Sequence, residues 1–194
     1  MTIGNRCSGT LVNRYWVLTA DHCVASNGVT AGPLDALVNL KVTATWSAAT
    51  VVPTTVVRYA TADGASPNNP ADVALLLLGN GDLGSDRIQL FYVQLVDTGT
   101  RLLAFGRGIS GFATGSGPTA VPAKLDGAYR SATLTPTYTA TNSYTFTPNK
   151  VGQIIAGGDS GGPDIVVDPK GVPLGIAGVH STCVWTLLPT SRAR

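Results

Sequence analysis

The sequence predicts an all-β fold, a barrel or a sandwich, and three observations carry that prediction. Its apolar and β-branched runs are short, and clusters of Gly, Pro, Asn and Asp separate them. Where a run alternates clearly, as from Leu37 to Trp46, the period is two. No segment of ten or more residues shows the apolar spacing of a helix.

The elements follow in order. Gly9–Val12 and Tyr15–Thr19 flank Asn13-Arg14 and read as a hairpin. Leu37–Trp46 carries Val38, Leu40, Val42 and Ala44 on one face, the signature of a half-buried strand. Val51–Tyr59 is β-branched but interrupted by Pro53, which demands an edge or a bulge. Val73–Leu78 is a continuous apolar run of core-strand length, and Ile88–Val96 is another. After a crossover at Asp97–Thr100, a second set begins with Arg101–Phe105. A Gly-rich loop over Gly106–Pro118 separates it from strands at Lys124–Leu134, Tyr144–Thr147, Pro163–Val167 and Leu174–Ser181.

Composition sets the outer bounds. A chain of 194 residues makes one domain or two small packed barrels. With 44% apolar and 12% charged residues it can fill a dense core. A net charge of +2 is too small to argue for a nucleic-acid partner or an acidic membrane surface. No stretch reaches the ~18 apolar residues of a membrane-crossing helix. Met1-Thr2-Ile3-Gly4 leads straight into domain sequence, and the expectation from this stretch is that it is not a signal peptide. The three Cys are an odd number, so at least one lacks a mate within the chain.

Three segments carry chemistry. In Cys7–Cys23 a His precedes the second Cys, and the two Cys bracket the predicted hairpin. A disulfide there would pin the turn that presents His22. Taken alone, the segment also reads as a structural disulfide beside a surface His. In Asn69–Leu78, Asp72 stands at the lip of the most apolar run. A carboxylate so placed needs hydrogen bonds, and a His donor would supply one while fixing its own tautomer. An ordinary turn-capping Asp is the alternative. In Gly157-Gly-Asp-Ser-Gly-Gly-Pro163, four glycines surround an Asp-Ser pair. Such a loop can aim successive backbone N–H groups into one small volume, as stabilisation of an oxyanion requires. Gly158 and Ser160 would be the donors.

Together these segments resemble the chymotrypsin/trypsin family of serine proteases, in that family's order of His, Asp and Ser and close to its spacing. Ala104-Phe-Gly-Arg-Gly108 is similar to the family's Gly-containing strand opening the second half. The resemblance implies two six-stranded antiparallel Greek-key barrels packed face to face. Residues 1–96 would carry His22 and Asp72, and residues 97–194 the nucleophile and the specificity pocket. It implies Ser160 as nucleophile, His22 as general base and then acid, Asp72 as orienting carboxylate, and a Cys7–Cys23 disulfide. It implies a secreted endopeptidase acting on proteins or peptides, a monomer, with no metal or organic cofactor.

The chain also departs from the family. Relatives bury a freshly cut N-terminal amine against the Asp preceding the nucleophile, here Asp159. The six residues before Cys7 do not resemble the family's Ile/Val-Val-Gly-Gly start, and no closing helix is evident before Arg194. The expectation is a chain clipped at both ends, with Asp159 lacking its partner. The pocket floor falls at Ile154, beside Ile155, so no acid selects Lys or Arg. Gly178-Val-His-Ser181 resembles the pocket-wall strand, with Ser181 near Asp72 and His180 where some Glu-specific relatives hold a substrate carboxylate. An alternative register puts His180 at the rim, and simple packing on the barrel is a third reading. An apolar or medium-sized side chain before the cut bond ranks first, an acidic one second. Cys183 is expected to be a buried free thiol.

Overall fold

The computed structural model describes residues 1–4, 7–25, 40–47, 49–58, 72–79, 83, 89–110, 124, 126–140 and 143–181. Cys183, Val38 and most of the Gly-rich loop after Ser110 lie outside the described residues. The first part contains strands β1 (Thr2–Ile3), β2 (Cys7–Ser8), β3 (Thr10–Leu11) and β4 (Trp16–Thr19), then a short helix α1 (Asp21–Ala25). Strands β5 (Val42–Thr43), β6 (Thr50–Val51), β7 (Thr55–Arg58) and β8 (Ala74–Leu77) complete it. The second part contains β9 (Leu102–Gly106), β10 (Arg130–Leu134), β11 (Tyr138–Ala140), β12 (Ser143–Thr145), β13 (Pro163–Val167) and β14 (Pro173–Val179). The fold is all-β, as predicted.

The strands pair as antiparallel sheets in the orders β2-β1-β5-β6, β3-β4-β8-β7 and β10-β9-β13-β14, with β11-β12 as a separate hairpin. The predicted first hairpin forms. Asn13 Oδ1 accepts from the backbone N–H of Tyr15 at 2.9 Å and of Trp16 at 3.0 Å, holding its turn. Pro53 divides the predicted Val51–Tyr59 strand in two. β6 before it joins β5, while β7 after it joins β8 in a different sheet, so the residue without an N–H sits where the chain changes sheets. The predicted strand at Ile88–Val96 is instead a bridging segment. Tyr92 N–H donates to Ile176 O and Ile176 N–H donates to Leu90 O, both at 2.8 Å, and the chain then runs exposed through Val93 and Leu95.

The unbroken apolar run of β8 has two jobs. Ala74 and Leu76 face a core with Ile3, Val17, Leu40, Val42 and Leu78, while Leu75 faces the other way. There it meets a cluster of Val12, Leu18 and Ile176, flanked by Ile165 and Val179, drawn from both parts of the chain. Burying a side chain the size of Leu76 contributes about 1.5–3 kcal/mol, so β8 is anchored on both faces. The site is held where the two parts meet.

Candidate active site

Antiparallel register brings the first two residues together. Thr19, the end of β4, is opposite Ala74, the start of β8. Continuing past Thr19 leads into α1 and His22, and moving back from Ala74 leads to Asp72. The two therefore meet at the same sheet end: His22 N–H donates to Asp72 Oδ1 at 2.8 Å, and His22 Nδ1 lies 2.6 Å from Asp72 Oδ2. The second part repeats the device. Pro163 in β13 is opposite Val179 in β14, so Ser160 before one strand meets Ser181 after the other. Ser160 Oγ donates to Ser181 O at 3.5 Å.

Ser181 Oγ joins the two halves by donating to Asp72 Oδ2 at 2.6 Å. Burial alone would raise the Asp72 pKa. Hydrogen bonds from the His22 ring, the Ser181 hydroxyl and the His22 N–H outweigh it and hold the carboxyl at about 2. Asp72 is thus ionised at neutral pH and accepts the proton on His22 Nδ1, which leaves Nε2 as the basic nitrogen. Nε2 has Cys23 Sγ 3.7 Å away, and the His22 side chain is 43% exposed. The Cys7–Cys23 disulfide forms, with Cα atoms 6.0 Å apart, and ties β2 to α1. No hydrogen bond joins Ser160 Oγ to His22 Nε2 in this structure.

The loop around Ser160 is built by close backbone approach. Ser8, fully buried in β2, donates its N–H to Ser160 O at 2.7 Å and its hydroxyl to Gly158 O at 3.2 Å. Gly161 has φ of 81°, and a Cβ there would collide with the Ser8 carbonyl and Thr19 Oγ1. Gly158 has φ of 96°. Among the described residues, the backbone N–H groups of Gly158 and Ser160 donate to no protein group.

Asp159 is not left uncompensated, contrary to the expectation from sequence. Its Oδ1 accepts from Gly108 N–H at 2.6 Å and its Oδ2 from Ala156 N–H at 2.9 Å. Gly106 and Gly108 leave the room, since a Cβ at either would overlap the carboxylate. Two backbone donors can satisfy such a half-buried carboxylate without a cation. Asp159 also raises the Tyr129 pKa, after burial the second cause of its rise to about 12.

Ile154, Ile155 and His180 line one cavity of about 280 Å³, together with Asp159, Gly106 and Arg130. His180 is 4% exposed. Its Nε2 lies 2.8 Å from Asp164 Oδ1 and its Nδ1 lies 3.2 Å from Asp159 O, so both ring nitrogens already have protein partners. Tyr144 Oη donates to Asp164 Oδ2 at 3.0 Å. Reading the sequence missed Asp164, Tyr144 and Ser8. The signal for Asp164 was present: a single acid inside the apolar strand Pro163-Asp-Ile-Val-Val167 must have a partner.

Cys7, His22 and Cys23 offer three ligand atoms within 4.8 Å of one another. With both sulfurs joined in the disulfide, the group has no thiolate to give a metal.

The trypsin family profile matches residues 1–185. Among solved structures, one titled "Atomic resolution structure of HBP" aligns with a TM-score of 0.61 and 21% identity, covering 93% of this chain and 75% of that one. At that identity the likeness shows the fold. No curated protein matches the chain.

Proposed function

The chain belongs to the trypsin family, and we propose that it is a secreted serine endopeptidase working through an acyl-enzyme on Ser160. The observation that carries this reading is the 2.6 Å contact between His22 Nδ1 and an ionised Asp72, which leaves Nε2 as the basic nitrogen. On this reading Ser160 Oγ must leave the Ser181 carbonyl, 3.5 Å away, for that nitrogen when substrate binds. Catalytic hydrogen bonds are commonly loose before substrate arrives and tighten in the complex.

Ser160 Oγ then bonds to the substrate carbonyl carbon as its proton passes to His22 Nε2. The oxyanion forms beside the undonated N–H groups of Gly158 and Ser160. Collapse breaks the C–N bond, and the amine leaves with the proton from His22. Water repeats the sequence, with His22 taking its proton, and releases the acid and the free Ser160 hydroxyl. The scheme uses no metal or organic cofactor. Its substrates are proteins or peptides, met by a monomer. The Cys7–Cys23 disulfide favours an oxidising compartment.

Ile154 and Ile155 favour an apolar side chain before the cut bond. An acidic side chain has lost its support, because the His180 nitrogens are engaged by Asp164 and Asp159. One observation favours a second reading, a catalytically silent binding module: Ser160 Oγ bonds to Ser181 O and not to His22. A peptide library separates the two. The endopeptidase cleaves after apolar residues and loses this with Ser160→Ala; the binding module cleaves nothing while remaining folded.

A further inference from the structure

His180 lies beneath the nucleophile loop, and its two ring contacts constrain its protonation. The Asp159 carbonyl 3.2 Å from Nδ1 can only accept a hydrogen bond. The Asp164 carboxylate 2.8 Å from Nε2 is also an acceptor when ionised, and Tyr144 donates to its other oxygen. Two acceptors require a proton on each nitrogen, which makes the ring an imidazolium. Burial works against that charge, but Asp164 and then Asp159 overcome it and raise the His180 pKa. The His180 and Asp164 side chains are 2–3% exposed, so water does not replace the bond between them.

The bond at Nδ1 reaches the chemistry through one peptide. The Asp159–Ser160 link is planar and trans, so its C=O and N–H point in opposite directions. Its carbonyl accepts from His180 Nδ1 and from Gly162 N–H at 2.8 Å. Its N–H is that of Ser160, one of the two groups left undonated. Backbone bonds hold the His in place: Gly161 N–H donates to His180 O at 2.8 Å and His180 N–H to Gly162 O at 2.9 Å.

We propose that His180, held as a charged ring by Asp164, is a positioning residue that fixes the Asp159–Ser160 peptide so that the Ser160 N–H faces the developing oxyanion. This rests on the acyl-enzyme reading of the same site. It also builds in a pH response. The charge-assisted bond to Asp164 is the stronger of the two, so a neutral ring keeps its proton on Nε2. Deprotonation then takes the proton from Nδ1 and sets a nitrogen lone pair against the Asp159 carbonyl oxygen. Among the described residues, the charged and titratable groups around the ring are Asp164 on β13, Asp159 on the loop, Tyr144 on β12 and Arg130 on β10 across the cavity, the last paired with Asp126 at 2.6 Å. A raised pKa means that the positioned state is present below it and is lost as pH rises through it, above the ordinary imidazole value of about 6.5.

The test uses the full chain and a fluorophosphonate probe, with histidine ¹H–¹⁵N spectra alongside. The expected spectrum shows both ring N–H groups of His180 at neutral pH. The maximal labelling rate should fall at alkaline pH in step with loss of the Nδ1 proton, while the probe's apparent affinity stays constant. His180→Asn, whose amide can donate in place of Nδ1, should keep most of that rate, and His180→Leu should lose at least about tenfold, as a displaced oxyanion donor would. A wild-type ring that is singly protonated from about pH 6 to 9 while Ser160 still labels overturns the positioning role alone. So does a folded Leu variant with the wild-type rate. The spectra need no variant, so a Leu variant that does not fold leaves the test intact. A folded wild-type chain that never labels overturns the acyl-enzyme reading and the positioning role with it.

Discussion

Ser181 donates its hydroxyl to Asp72 Oδ2 at 2.6 Å, the same oxygen that faces the His22 ring. A residue after β14 thereby holds a carboxylate supplied from before β8, across the boundary between the two parts of the chain. Ser181→Ala should raise the Asp72 pKa from about 2 toward its ordinary 3.8. A carboxylate held below its unfolded value contributes stability above that value and loses it as pH falls through the folded one. For Asp72 the window runs from 3.8 down to about 2. The variant should therefore lose about 1.5–3 kcal/mol at neutral pH, the scale of one hydrogen bond to a charged group, and less at pH ~2. Urea unfolding at the two pH values measures both. An equal loss at both would show that Ser181 acts through packing alone.

Removing the disulfide should cost both stability and activity. Cys7 and Cys23 close a loop with a sequence separation of 16. A loop of that size is worth about 3 kcal/mol by restriction of the unfolded chain. For a chain of this length that corresponds to a melting temperature lower by roughly 6–12 °C in a double Cys→Ser variant, read by calorimetry. The same variant should lose activity ahead of its stability, because the bridge ties α1, and with it His22, to β2.

Gly161→Ala should be far worse than the same change at Gly152 or Gly171. Gly152 and Gly171 have φ of 79° and 84° with nothing within 4 Å of an added Cβ. There Ala meets only the conformational cost, about 1–2 kcal/mol. At Gly161 the added carbon also strikes the Ser8 carbonyl and Thr19 Oγ1, and the Ser8 backbone cannot swing aside. Denaturant unfolding of the three variants should rank Gly161→Ala last by a clear margin, with loss of probe reactivity only there.

Much of this was legible in the sequence because the site is carried by local strings. Cys7–Cys23, Asp72 before its apolar run, and Gly157–Pro163 each state their chemistry within a few residues. Strand positions were legible where alternation or a bounded apolar run exposed them, as at Pro163–Val167. Three features were not. The helix at Asp21–Ala25 spans five residues, too few for a helical period to show. The strand β11 (Tyr138–Ala140) is mostly exposed, with no buried face to mark it, although its partner β12 overlaps the predicted strand at Tyr144–Thr147. The partners of Asp159 are backbone N–H groups of Gly108 and Ala156, and backbone donors have no signature in side-chain identity. The His180–Asp164–Tyr144 chain joins the residue after β14 to β13 and β12, and only tertiary structure brings such residues together.

The most direct test of the central claim is covalent labelling of the purified, folded chain with a fluorophosphonate probe, mapped by peptide mass spectrometry. The account predicts one adduct, on Ser160, absent after heat denaturation and in Ser160→Ala, and strongly reduced in Asp72→Asn. A folded chain that takes no label, or takes it equally after denaturation, would contradict an assembled nucleophile, base and oxyanion site.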